Sequence, residues 1–358
     1  MRSSADITRR RWLALALAGS PLAHALPART LQFPRDHGSH PDLRTEWWYI
    51  TGHAQAAGRL WGFQVTFFRS RVDAAQGLRS AFAARQLLFA HAAVTDVQGQ
   101  RLLHGQRIAR AGFGVAEASE ADTRVRLHGW TLERTGVDAD SRYTARVASG
   151  DFSLDLQCAN TQPVLLQGRQ GLSRKGPQAE QASYYYSQPQ LAVSGAITVQ
   201  GQRMPIATGR AWMDHEWSEA LMHPEAVGWD WIGMNLHDGG ALTAFRLRRA
   251  DGSALWAGGS LRAPGQAVRV FDAQEVVFAP GRLWTSPRSG ARYPVQWTVC
   301  TPAGSFEVRT LLDAQELDSD GSTGAIYWEG LSDLLNAAGR PVGRGYLEMT
   351  GYGKPLRL

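Results

Sequence analysis

Three short stretches of the chain set carboxylates among large aromatic rings. Trp212-Met213-Asp214-His215-Glu216-Trp217 places two acids and a histidine between two tryptophans, and Gly228-Trp229-Asp230-Trp231 and Glu46-Trp47-Trp48-Tyr49 repeat the theme. A carboxyl walled by aromatic carbon loses hydration when it ionises, so its pKa rises and it can give up a proton near neutral pH. Indole faces stabilise a cation above them. Together these groups suit acid-promoted chemistry on an apolar molecule. The same groups also suit a structural role, with the acids paired to arginines such as Arg44, Arg210 or Arg246. Both readings stay open on the residues alone.

Strand alternation divides the candidates. In GWDWIGMNL, Asp230 shares a face with Ile232, Met234 and Leu236, and Trp229 and Trp231 take the other. If the aliphatic face lines an interior, Asp230 is the more inward acid. Glu46 shares a face with Trp48 and Ile50. In the third stretch, Trp212, Asp214 and Glu216 oppose Met213, His215 and Trp217, and neither set is marked as the inner one. His37, His40, His53, His91, His215 and Glu216 are candidate metal ligands, but none has HExxH or similar spacing, so no metal is expected. There is no G-x-S-x-G nucleophile elbow, no P-loop and no dinucleotide glycine pattern, and no cofactor is implied.

The elements that must hold these residues read as short strands joined by turns. EWWYITGHA and LWGFQVTFFRSR make a hairpin, as do the segments around Ser149-Gly150-Asp151 and Gln200-Gly201; turns at Asp238 and Asp251 make a meander. One short helix is expected over 330–338, GLSDLLNAA. Leu172 to Pro189 is the least strand-like stretch and reads as a crossing loop. An all-β chain of antiparallel hairpins closes as barrels or sandwiches, and 358 residues are enough for two of them, with a boundary near Trp217. Residues 1–25 read as a secretory signal peptide: Arg9, Arg10 and Arg11, an apolar run, then Ala23-His24-Ala25; the consecutive arginines suggest the twin-arginine route. Loss of its four Arg and one Asp lowers the formal charge from +6 to +3. The remaining basic residues are scattered, which argues against nucleic acid. No later stretch is apolar enough to span a bilayer. Cys158 and Cys300 could pair in an oxidising compartment or stay free.

PDLRTEWWYITGHA, SYYYSQPQLAVSGAITVQG, GRAWMDHEW, GWDWIGMNL and YWEGLSD with GRPVGRGYLEMTGYG, in that order over about residues 41–353, resemble the AttH / carotenoid 1,2-hydratase-like family. The resemblance implies two lipocalin-like β-barrels, over 46–217 and 218–358 after an arm at 26–45, with a pocket near their junction. It also implies a periplasmic or secreted protein, an apolar isoprenoid, polyene or lipid ligand, and either hydration or cyclisation through a carbocation or carriage beside an ABC-type export permease. On this reading Asp214 or Asp230 is the acid, and His215 orients it or handles the water proton. Trp212, Trp217, Trp229 and Trp231 line or support the pocket, Tyr185 and Tyr186 offer hydroxyls, and Glu46, Trp47, Trp48, Tyr49 and Glu216 complete the binding set. Hydratases of the family carry Asn where Glu216 stands, and a downstream Tyr-x-Asp pair that ALTAFRLRR lacks.

Overall fold

The computed structural model describes residues 25–356. The leader expected over 1–25 lies, up to residue 24, outside the described residues. Two large antiparallel sheets carry almost all of the chain, and they part between Ser218 and Gly228. The hairpin Thr45–Ala56 / Arg59–Arg71 is the spine of the first sheet. It turns at Ala57 and Gly58, both at positive φ, as a two-residue hairpin requires. Gln86–Asp96 and Arg101–Arg110 extend it on one side; Gln202–Ser218, Ala182–Val199 and Phe152–Ala159 extend it on the other. The sheet curls into a nearly closed barrel around Trp48, Ile50, Phe67, Leu156, Met213 and Trp217. In the second sheet Gly228–Leu236 lies between Ala241–Arg248 and Pro341–Met349, and Ala325–Asn336 pairs beyond the latter. It encloses Ile232, Met234, Trp297, Val308, Trp328 and Leu347. The protein is thus all-β, with two lipocalin-like barrels.

A third apolar cluster, of Tyr49, Trp212, Trp231, Phe245, Leu331 and Tyr346, joins the outer faces of the two barrels. An indole buried there removes about 200 Å² from water, worth on the order of 4 kcal/mol. Gly233 makes the fit: a Cβ would meet the Trp231 ring at 2.3 Å and the Trp212 ring at 3.1 Å.

Two expectations give way. GLSDLLNAA is not helical; it ends the strand Ala325–Asn336, whose alternate residues pack into the barrel and whose backbone pairs with Pro341–Met349. Leu172 to Pro189 is not one crossing loop: Leu172–Arg174 is a strand, and Ala182–Val199 is an 18-residue strand that carries the tyrosines. Only the turn between them reads as expected, and it contributes Lys175 to the site. Both cysteines are free; Cys158 is buried in the first barrel, and burial pushes its thiol up to about 12.

Candidate active site

Register brings the candidates into rows. On the outer face of the first barrel, Ile108, Phe89, Phe68, Trp47, Glu216 and Tyr185 are successive cross-strand neighbours. The next row on that face is Gln106, His91, Thr66, Tyr49, Asp214 and Ser187. The second barrel presents Phe245, Trp231, Glu348 and Glu329, again as neighbours across three strand pairs. These faces bound a cleft of about 460 Å³, closed further by Leu221, Met222, Trp229, Leu247 and Tyr327. That volume suits a small organic ligand, and the walls are mainly aromatic and aliphatic.

Asp214 lies at the wall of the cleft and is buried. Its carboxylate accepts from the Tyr185 hydroxyl at 2.7 Å, the Ser187 hydroxyl at 2.5 Å and the Trp212 indole at 2.6 Å. Burial outweighs those three donors and, with the charge of Glu216 adding to it, pushes Asp214 up to about 7. Glu348 goes up to about 8, through burial first and then the charges of Asp214 and Glu216, against a hydrogen bond from Trp229. Glu329, opposite it on the paired strand, is held well above the carboxylate range by burial and by Glu348. Glu329 Oε1 has no hydrogen-bond partner among the described residues, whereas Glu348 keeps partial exposure into the cleft. Glu216 differs: the Lys175 ammonium lies 2.9 Å away and the Ser183 hydroxyl donates to it. Lys175 also sits over the rings of Tyr185 and Phe245, at 4.7 and 4.2 Å.

The alternate residues face the other way, into the first barrel. Glu46, Trp48, Tyr186, His215 and Trp217 form a closed network there with the N-terminal arm. Glu46 Oε1 is 2.7 Å from His40 Nδ1 and 2.9 Å from His215 Nε2, and Arg69 pairs with Oε2 at 2.8 Å. His40 stacks on Trp217 and His215 on Trp48, while the Tyr186 hydroxyl bonds to both His37 and His215. Burial takes His215 down to about 4, so it is neutral at pH 7. His215 therefore neither touches nor orients Asp214, because the two point to opposite faces of one strand. His40, Glu46 and His215 bring three metal-binding atoms within 4.8 Å of one another. The guanidinium on the same carboxylate opposes a cation there, and the three groups already bond to one another.

Asp230 is inside the second barrel, as its aliphatic face implies, but that interior is not the cleft. Arg246 pairs with it at 2.7 Å, Arg248 lies 3.6 Å away and the Tyr352 hydroxyl donates at 2.8 Å. It is an ion-paired carboxylate away from any ligand space, not a free acid. Its flanking Trp229 and Trp231 do line the cleft. Of the sequence candidates, Trp47, Tyr49, Tyr185, Asp214, Glu216, Trp229 and Trp231 therefore meet, with Trp212 packed behind them; Glu46 reaches the lining only from the interior network. Glu329, Glu348, Lys175 and Phe245 were not singled out. A usable signal for the two acids was present: in YWEGL and GYLEM each Glu shares a face with the Tyr two residues before it, Tyr327 with Glu329 and Tyr346 with Glu348.

The fold and cleft define a double β-barrel with acids gathered at the barrel junction. Residues 24–352 match the AttH-like family, and the chain belongs to it. A crystal structure of a candidate AttH protein of Nitrosomonas europaea is 46% identical, covers 92% of this chain and 99% of its own, and superposes with a TM-score of 0.85. Kievitone hydratase from Nectria haematococca shares the fold at 13% identity and a TM-score of 0.71, over 91% of this chain and 94% of its own. CghA does so at 14% identity and 0.51, over 86% and 88%. A comparison with the curated proteins finds no match.

Proposed function

We propose that the cleft binds an apolar isoprenoid, polyene or lipid and protonates it, leading to hydration or rearrangement. The observation that carries this is the set Asp214, Glu329 and Glu348: three carboxyls gathered in a pocket walled by Trp47, Tyr49, Trp229 and Trp231, each raised above the ordinary carboxylate range by burial and by the charge of neighbouring acids. Glu348, the acid most open to the cleft, transfers its proton to an alkene carbon. The cation so formed faces the indoles, whose π-electrons stabilise it. Water adds its oxygen to the cation and returns a proton to the Glu348 carboxylate, so the net change is addition of one water. Without water in reach, loss of a neighbouring proton to the same carboxylate gives the rearranged alkene. Burial, with the charges of Asp214 and Glu216 beside it, holds the proton on Glu348 until an alkene takes it. The hydratase among the structural neighbours supports the hydration branch by likeness of fold alone.

The second reading is a carrier that holds the same ligand unchanged and exchanges it with an export permease. The mainly aromatic and aliphatic lining favours it, since holding an apolar ligand needs no proton donor. Export of the protein rests on the leader-like residues 1–25. The test is mass spectrometry of ligand extracted from purified protein, followed by incubation with that ligand and with acyclic polyenes in ¹⁸O-water. Uptake of label by wild type, lost in Glu348→Gln with ligand retention intact, is the expected result. Retention without any conversion by wild type leaves the carrier, and failure to hold any apolar ligand refutes both readings.

A further inference from the structure

The outer face of the first barrel carries a second feature beyond the cleft. Leu78, Phe82, Ile108 and Phe113 are exposed by 52, 70, 39 and 58%. Phe82 and Phe113 stack with ring centroids 5.5 Å apart and planes within 5°, and the Arg110 guanidinium covers both, at 5.2 and 4.2 Å. Solvent-facing aromatic clusters of this kind mark interaction surfaces. The backbone spends strain to make it: Phe113 sits at φ 60 between Gly112 at 103 and Gly114 at 68, a left-handed conformation that a bulky residue rarely adopts. Arg79 and Arg85 are exposed in the loop that carries Leu78 and Phe82, and neither they nor Arg110 forms an ion pair among the described residues. The patch runs directly into the cleft: Arg110, Leu87, Ser70 and Thr45 are successive cross-strand neighbours, and the last three line it, as does Ile108.

We infer that this patch docks on an anionic lipid bilayer, seating Leu78, Phe82 and Phe113 in the headgroup boundary while Arg79, Arg85 and Arg110 meet the lipid phosphates, and that the apolar ligand passes between bilayer and cleft along the connecting row. Unpaired arginines ringing exposed apolar side chains are complementary to a surface that is both negative and greasy, which a folded protein partner rarely offers. The ligand-transfer half rests on the proposed reading of the cleft; the docking half does not.

The test is co-sedimentation of the purified full-length protein with vesicles of phosphatidylglycerol and phosphatidylcholine, against phosphatidylcholine alone. Binding to the anionic vesicles, weakened by salt, is expected to fall roughly tenfold or more in a Phe82→Ser, Phe113→Ser double variant and several-fold in Arg79→Gln. The thermal transition reports that these exposed substitutions leave the fold intact. Asp214→Asn is expected to bind vesicles as wild type does, which separates docking from the cleft's chemistry. Equal binding by the double variant, or no binding to anionic vesicles, overturns the inference. So does a concentration-dependent dimer that the double variant abolishes, which would give the patch to a second copy of the chain.

Discussion

Asp214→Asn tests the protonation argument without requiring a known ligand. The carboxyl is pushed from 3.8 to about 7 in the folded chain. Between those values the folded protein holds a proton that the unfolded chain has released. Stability therefore falls as pH rises through the window, by about 1.4 kcal/mol per pH unit and about 4 kcal/mol across it. Below the window both states are protonated and above it both are ionised, so the contribution is level at each end. Asparagine resembles the protonated acid: its Oδ1 can accept from Trp212 and Ser187, and its amide can donate to the Tyr185 hydroxyl. Urea unfolding of both proteins at several pH values gives the difference directly, with groups common to both largely cancelling. The variant is expected to gain on wild type steadily from about pH 4 to about pH 7 and to hold that gain above it. A difference that does not change with pH would mean that Asp214 is ionised throughout and would remove it from the acid set.

Trp231→Ala is expected to cost about 3–5 kcal/mol in urea unfolding and to abolish retention of apolar ligand, because the ring both fills the barrel junction and walls the cleft. Asp230→Asn, which strands Arg246 inside the second barrel, is expected to lose a similar amount of stability while leaving ligand retention unchanged. Lys175→Met leaves Glu216 buried without its ammonium partner and is expected to cost about 3 kcal/mol, largely recovered by adding Glu216→Gln. In Ellman titration Cys300 is expected to react in the native protein and Cys158 only after unfolding.

Hairpins were legible because their turns carry local chemistry: Ala57-Gly58 and Gln200-Gly201 sit where the sequence puts them. The segment 330–338 looks helical in sequence because Leu331, Leu334, Leu335 and Ala338 recur at helical spacing, but pairing with Pro341–Met349 decides for the strand. Alternation correctly separated Asp214 from His215 and placed Asp230 inside its barrel. It did not say which face matters. Equating the aliphatic face with the ligand space favoured Asp230, whereas the cleft forms where two outer faces meet. That junction depends on pairing between barrels, which no local pattern encodes, and Glu329 and Glu348 become a pair only through the register of two strands.

The register of the first strand also constrains the order of assembly. Thr45 pairs with Ser218, 173 residues later, and every residue from Glu46 to Gln55 has its partner in the same distant strand. Emerging from the ribosome, the hairpin of residues 45–71 waits with one edge unpaired until nearly two-thirds of the chain has been made. Such long-range closure is slow and leaves a sticky edge open meanwhile. The arm that carries His37 and His40 cannot lock onto His215 before then, so its burial marks completion of the barrel rather than its start.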